Sequence, residues 1–167
     1  FAGGIKHLQL AHAARPDDLT IATNLAAALI ESEAFADALS VATRERALAD
    51  PSLRMARYRG FAAQMSGDPA AAIEAYDHVV EVAPEDSESW NNLGNAHAAA
   101  NDHEASLAAL RRSAELDPTA PARLNLARAL RRMDRPAEAE RVLRDMAADF
   151  PSDTKALVDL HDLLHRL

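Results

Sequence analysis

Five of the eight prolines in this chain, Pro16, Pro51, Pro84, Pro118 and Pro151, fall 35, 33, 34 and 33 residues apart. Other residue types keep the same period. Gly60 and Gly94 are 34 apart, Ala127 stands 33 further on, and Ala38, Ala72, Ser106 and Ala139 form a second column of small residues. A period of this length marks a repeat architecture, in which one supersecondary unit buries its apolar face by stacking on the next. The prolines fit a place just beyond a helix end, where the missing N–H is harmless and the ring stops the helix. The small residues fit contacts where two helices approach closely.

The repeating unit is helical. Ala, Leu and Arg dominate, and all three lose little rotamer freedom in a helix. Five Gly and only 4% aromatic residues leave too few turn and strand formers for a sheet. Ten helices are predicted: one over 4–14, pairs at 18–31 with 34–48, 52–65 with 69–82, 86–99 with 103–116 and 120–132 with 136–149, and a last one over 153–166. The turns within pairs read SGDP (66–69), AAND (99–102) and MDRP (133–136), with Pro69 and Pro136 suited to a first helical position and Asp68 to a cap. The sequence between Ala34 and Pro51 carries one residue more than its counterparts. Trp90, Leu93, Leu107 and Leu110 are expected to fill the layer between repeats.

The stretch SWNNLGNAHAAANDHEASLAALRRSAELDP, from Ser89 to Pro118, resembles the tetratricopeptide repeat, W-x2-L-G-x2-Y followed by A-x3-F and P. Trp90, Leu93, Gly94 and His97 match the first cluster, with His in place of Tyr, and Ser106, Leu110 and Pro118 match the rest. The resemblance implies an all-α, right-handed superhelical solenoid of antiparallel helix pairs. It would be a single array over 1–167: an orphan second helix (4–14), repeats 18–51, 52–84, 86–118 and 120–151, and a closing helix (153–166) whose leucines lie on one arc. The opening residue Phe1 and the unpaired first helix lead us to expect further sequence before it.

The same resemblance implies that first helices line a concave groove for a protein or extended peptide. The positions it assigns to peptide binding are Asn24, Arg54, Arg57, Phe61, Asn91, Asn92, Asn95, Asn125, Arg128 and Lys155. Asn24, Asn92 and Asn125 share one repeat position, as in the asparagine ladder of long arrays of this family, and an amide can grip a peptide backbone as both donor and acceptor. The groove helices are net basic, with Arg131 and Arg132 beside Arg128, although the chain as a whole carries −8. That contrast points to acidic or carboxylate-ended ligands, which Arg can hold bidentately. The alternatives are a recognition arm of a larger enzyme, such as a transferase, and a self-assembly module using the unpaired end of the array.

Catalytic chemistry is not indicated. No phosphate-cradling glycine loop, G-x-S-x-G or H-E-x-x-H is present, and there is no cysteine. His161 and His165 have metal-like spacing with no third ligand, and read as a solvated helix face; His7 and His12 read as surface residues, and Asp17 with Asp18 as a helix start. No cofactor and no metal are expected. The acidic balance disfavours nucleic acid, no apolar run is long enough to span a membrane, and no targeting segment is seen, which leaves a cytoplasmic location as the expectation. Sixteen Arg against two Lys suits a GC-rich bacterial genome.

Overall fold

The computed structural model describes residues 2–117, 120–149, 151, 154, 158 and 161–162. Among them it is all-α, with ten helices: α1 (Ala2–Ala14), α2 (Leu19–Glu31), α3 (Phe35–Val41), α4 (Arg44–Ala49), α5 (Arg54–Met65), α6 (Pro69–Val82), α7 (Ser87–Ala99), α8 (His103–Leu116), α9 (Ala120–Arg132) and α10 (Pro136–Asp149). Thr154, Val158, His161 and Asp162 are also helical; the rest of the expected 153–166 helix lies outside the described residues. The chain divides into two compact units, Phe1–Ala83 and Pro84–Leu167.

In the first unit α1 packs on α2, α2 on α3 and α5, and α5 on α6. Its core joins Leu25, Leu29, Met55 and Val79, with Ile5 and Leu8 of α1 packed against it. In the second unit α7 pairs with α8, α9 with α10, and α8 packs on α9. There the core is Leu107, Leu110, Leu124, Leu130, Leu143 and Met146.

The small-residue columns sit where helices nearly touch. A Cβ built on Gly60 would lie 2.7 Å from the Tyr76 ring, and one on Gly94 would lie 2.6 Å from Leu110 Cγ. Ala38, Ala72 and Ala139 are wholly buried and Ser106 nearly so. Tyr76, itself 1% exposed, packs its ring where Gly60 carries no side chain.

Each pair turns in the same way, and the left-handed residue that all four turns share was not legible in the sequence. Glu33, Gly67, Asn101 and Asp134, spaced 34, 34 and 33 residues apart, all have φ between 56° and 75°. Beside each, an N–H reaches back to the fifth residue before it: Ala34 to Leu29 O, Asp68 to Ala63 O, Asp102 to His97 O and Arg135 to Leu130 O, at 2.9–3.0 Å. This is a Schellman C-cap, which satisfies carbonyls the helix would otherwise leave unpaired. Gly and Asn adopt the left-handed conformation readily, whereas Glu does so under strain. Helix starts are equally regular. Asp18, Asp68, Asp86 and Asp102 each accept a hydrogen bond from the N–H three residues on, at 3.0–3.2 Å.

Two expectations need correction. The helix predicted over 34–48 is broken into α3 and α4, because the extra residue is absorbed at Ala42–Thr43, where Thr43 caps a new helix. Arg46 Nη1 donates to Val41 O (2.7 Å) and Arg59 Nη1 to Ala42 O (3.2 Å), which satisfies the carbonyls released by the break. Trp90 is half-buried rather than part of the core. The buried line of α7 runs through Ser89, Leu93 and Ala96, one step around the helix, and Trp90 Nε1 donates to Pro84 O at 2.9 Å.

The start of α5 departs from the pattern as well. Leu53 takes φ 60° and is buried, and the buried Asp50 carboxylate serves as the cap from a distance. It accepts from Met55 N (2.8 Å), Ser52 N (3.0 Å) and Ser52 Oγ (2.7 Å). Burial alone pushes this carboxyl up. The hydrogen bonds from Met55 and Ser52 and the Arg54 charge outweigh it and hold the group below the ordinary aspartate value.

Three outcomes follow, each measured as a denaturant midpoint by circular dichroism. Gly60→Ala and Gly94→Ala should each destabilise by about 1–3 kcal/mol through overpacking. Gly3→Ala and Gly4→Ala, with open space around the new methyl, should be neutral or stabilising by up to about 1 kcal/mol. Glu33→Gly should stabilise by about 1 kcal/mol by relieving left-handed strain; a loss would mean that the Glu33 side chain has a structural role.

Asp50 makes a fourth case. A carboxyl whose folded pKa is depressed contributes stability above its unfolded pKa of about 3.9, and that contribution is lost as pH falls through the folded value. Asp50→Asn should therefore cost about 1–2 kcal/mol near pH 7 and much less near pH 3. An equal loss at both values would refute the charge-dependent cap.

Candidate peptide-binding faces

The first helices of the two units carry different chemistry. In the second unit, Leu124, Ala127 and Leu130 turn one side of α9 into the core. Asn125, Arg128 and Arg132, spaced by three and four residues, therefore share the other side, with Arg131 beside them. On α7, Leu93 and Ala96 are buried and Asn91 and Asn95 lie one turn apart on the adjoining face. Asn125 Nδ2 donates to Asn91 Oδ1 at 2.9 Å, which links the two first helices across the repeat. The amide contact is thus staggered by one residue from the Asn92–Asn125 equivalence of the sequence pattern; Asn92 is half-buried on α7.

Asn95, Asn125, Arg128, Arg131 and Arg132 line an open cavity of about 520 Å³. Arg131 and Arg132 make no ion pair among the described residues, whereas three other arginines nearby do. Arg123 pairs with Asp149 (2.5 Å), Arg135 with Glu138 (2.6 Å) and Arg144 with Glu140 (2.6 Å).

The first-unit face is aromatic and cationic instead. Asn24 is exposed on α2. On α5, Arg54 Nη2 donates to Tyr58 OH at 3.3 Å, and its guanidinium lies 5.8 Å from the ring centroid, within cation–π range. Arg57 Nη1 is 3.4 Å from Ser52 O. Phe61 is 38% exposed and meets Phe35 edge-to-face, with centroids 6.0 Å apart. Phe35 was not among the sequence-derived positions, because only the paired geometry brings it from α3 to α5. Lys155 lies outside the described residues.

Two further places carry charge. A cavity of about 250 Å³ in the first unit is lined by Arg44, Leu48, Arg59, Glu74, His78 and Glu81 among others, and Arg44 and Arg59 both pair with Glu74 there. His12 corrects the surface reading given above: it is half-buried, its Nδ1 is enclosed without a hydrogen-bond partner, and burial followed by the Arg46 charge lowers its pKa. His7 is exposed, with Nδ1 2.6 Å from Gly3 O. No group of three metal-ligating side chains occurs among the described residues, and His165 lies outside them. No helix among the described residues is long and apolar enough to cross a membrane.

Comparison with known proteins agrees with this geometry. No curated protein matches the chain by sequence. The crystal structure of MamA superposes with a TM-score of 0.82 at 16% identity, covering 93% of this chain and 91% of that one. MamA 41-end from Desulfovibrio magneticus RS-1 gives 0.81 at 17%, covering 92% and 88%. A thermophilic TPR protein from Thermus thermophilus, TTC0263, gives 0.69 at 18%, covering 96% and 88%. At these identities the likeness concerns the fold. Tetratricopeptide repeat models match residues 59–121 and 120–163, more than half of the sequence between them. With helix pairs, small-residue contacts and turns all in one period, the chain belongs to the tetratricopeptide repeat family, whose repeats serve as protein-interaction scaffolds.

Proposed function

We propose that this protein is a non-catalytic scaffold that holds an extended acidic or carboxylate-ended peptide on its first helices, with the repeats 18–51, 52–84, 86–118 and 120–151 acting as one array. The observation that carries the reading is the second-unit cavity, where three guanidiniums and two amides converge and no carboxylate is among the lining residues described. The amides of Asn91, Asn95 and Asn125 suit backbone N–H and C=O groups. Arg128, Arg131 and Arg132 supply charge, and the exposed Phe61 on the first unit offers a site for an apolar side chain.

Binding of this kind is modest in strength, since small interfaces dominated by exposed charge are screened by salt. Arg131→Glu with Arg132→Glu should weaken an acidic peptide by about tenfold or more, equivalent to about 1.4 kcal/mol. The same change should improve a basic peptide and leave the helical circular dichroism intact. The check is a fluorescence titration of acidic, C-terminally amidated and basic peptides at low and high salt. Indifference to ligand charge in the wild type would overturn the acidic preference, and the scaffold reading would then rest on other faces.

A further inference from the structure

A carboxylate answers only part of the charge that lines the second-unit cavity. Three arginines line it, and the described lining contains no acidic and no apolar side chain. Arg131 and Arg132 occupy the last turn of α9, where the helix dipole favours cations. That dipole amounts to only about −0.5 of a charge at a helix C-terminus, so it accounts for a fraction of the positive charge present. Nearby, Arg123 on α9, Arg135 just before α10 and Arg144 on α10 are neutralised by the fold's own carboxylates, whereas Arg141 makes no ion pair among the described residues. At Arg131 and Arg132 no such carboxylate occurs among the described residues.

We infer that this cavity, among Asn95, Asn125, Arg128, Arg131 and Arg132, is a subsite for a doubly charged oxyanion: the phosphorylated Ser or Thr side chain of an extended acidic peptide. The inference rests on the peptide-binding reading above and gives its ligand class. A phosphoryl group carries about −1.5 to −2 charges near neutral pH and three strong acceptor oxygens. A carboxylate brings one charge and two oxygens, and leaves more of the charge of Arg131 and Arg132 uncompensated. Guanidinium forks match phosphoryl oxygens two at a time, and the amides beside them donate further hydrogen bonds. The volume of about 520 Å³ is far more than a carboxylate fills and has room for a phosphorylated side chain with its flanking backbone. A polynucleotide phosphate fits less well, since no aromatic ring is among the described lining residues to stack a base and the chain is acidic overall, at −8.

The test uses the whole chain and three labelled twin peptides of one acidic sequence that differ at a single position: serine, glutamate or phosphoserine. The phosphoserine twin should bind about tenfold more tightly than the serine twin and several-fold more tightly than the glutamate twin. In Arg131→Ala with Arg132→Ala that ranking should flatten to within about twofold, with helical circular dichroism unchanged. Arg131→Lys with Arg132→Lys should keep charge attraction but lose most of the phosphoserine advantage over glutamate, because Lys lacks the fork. Inorganic phosphate should displace the phosphoserine twin only at concentrations well above that twin's own.

Equal binding of the glutamate and phosphoserine twins would overturn this inference and leave the acidic-peptide reading standing. Equal binding of all three twins and of a basic peptide would overturn both. Inorganic phosphate competing as well as the phosphoserine twin would reduce the site to a free-anion site and refute the peptide assignment. Tighter binding of a single-stranded oligonucleotide than of the phosphoserine twin would replace the partner class.

Discussion

Close approach of the two helices within each pair is the contact on which the rest of this structure depends. At Gly60 and Gly94 the facing side chains, Tyr76 and Leu110, stand closer than any Cβ would allow. A large residue on one helix is thus met by none on the other. Ala38, Ala72 and Ala139 repeat the arrangement from the second helices, where they are wholly buried. Packing this tight fixes the register of each pair, since sliding by one turn would drive the ring of Tyr76 into a neighbouring side chain. The turn then has one geometry available to it. The left-handed residue recurs at Glu33, Gly67, Asn101 and Asp134 although only one of the four is glycine. Tertiary packing sets the conformation, and Glu33 takes it against its own preference.

The same contact frees the outer side of each first helix. Because α9 turns Leu124, Ala127 and Leu130 inward, Asn125, Arg128 and Arg132 have to gather on the opposite side, and α7 presents Asn91 and Asn95 one repeat earlier. The Asn125–Asn91 hydrogen bond is the visible result of two first helices held side by side. It fixes the Asn125 amide and so limits how that group can meet a ligand, which is the kind of preorganisation that lowers the ordering cost of binding. In the first unit the equivalent positions carry Tyr58 and Phe61, stabilised by Arg54 and Phe35. The two units therefore carry faces of different chemistry.

How much of this was legible depends on which physical signal each feature leaves in sequence. The repeat was legible because close packing demands small residues and helix ends tolerate proline, and both recur in register. The Asp caps at Asp18 and Asp68 were legible for the same local reason. Other features were hidden because partners distant in sequence decide them. The extra residue before Pro51 could be counted, but its consequence, a break at Ala42–Thr43, relies on Arg46 and Arg59 reaching the released carbonyls. Trp90 matched the repeat pattern by type, yet the buried line of α7 passes through Ser89 and Leu93, and the indole sits at the margin, bonded to Pro84 O. His12 looked like a surface residue because nothing local reports that its Nδ1 becomes enclosed. For the candidate site, residue types were legible, but the cavity and the ion pairing of the arginines around it were not.

The net charge adds a last constraint on how such a site can work. A chain carrying −8 repels an acidic partner at long range, so attraction has to come from a local cluster. At about 0.1 M salt the screening length is about 10 Å, comparable with the width of a helix. Within that distance of Arg131 and Arg132 the arginines dominate, and beyond it the acidic surface is largely screened. A single carboxylate at the mouth of the cavity gains less than a multiply charged group, because one exposed pair contributes about 0–1 kcal/mol. A ligand that places several oxygens among three guanidiniums and two amides gains more, because each bond is charge-assisted and geometrically fixed. In the proposed mode the acidic body discriminates: it disfavours loosely attached anions on most of the surface and leaves the cavity as the place for a multiply charged group.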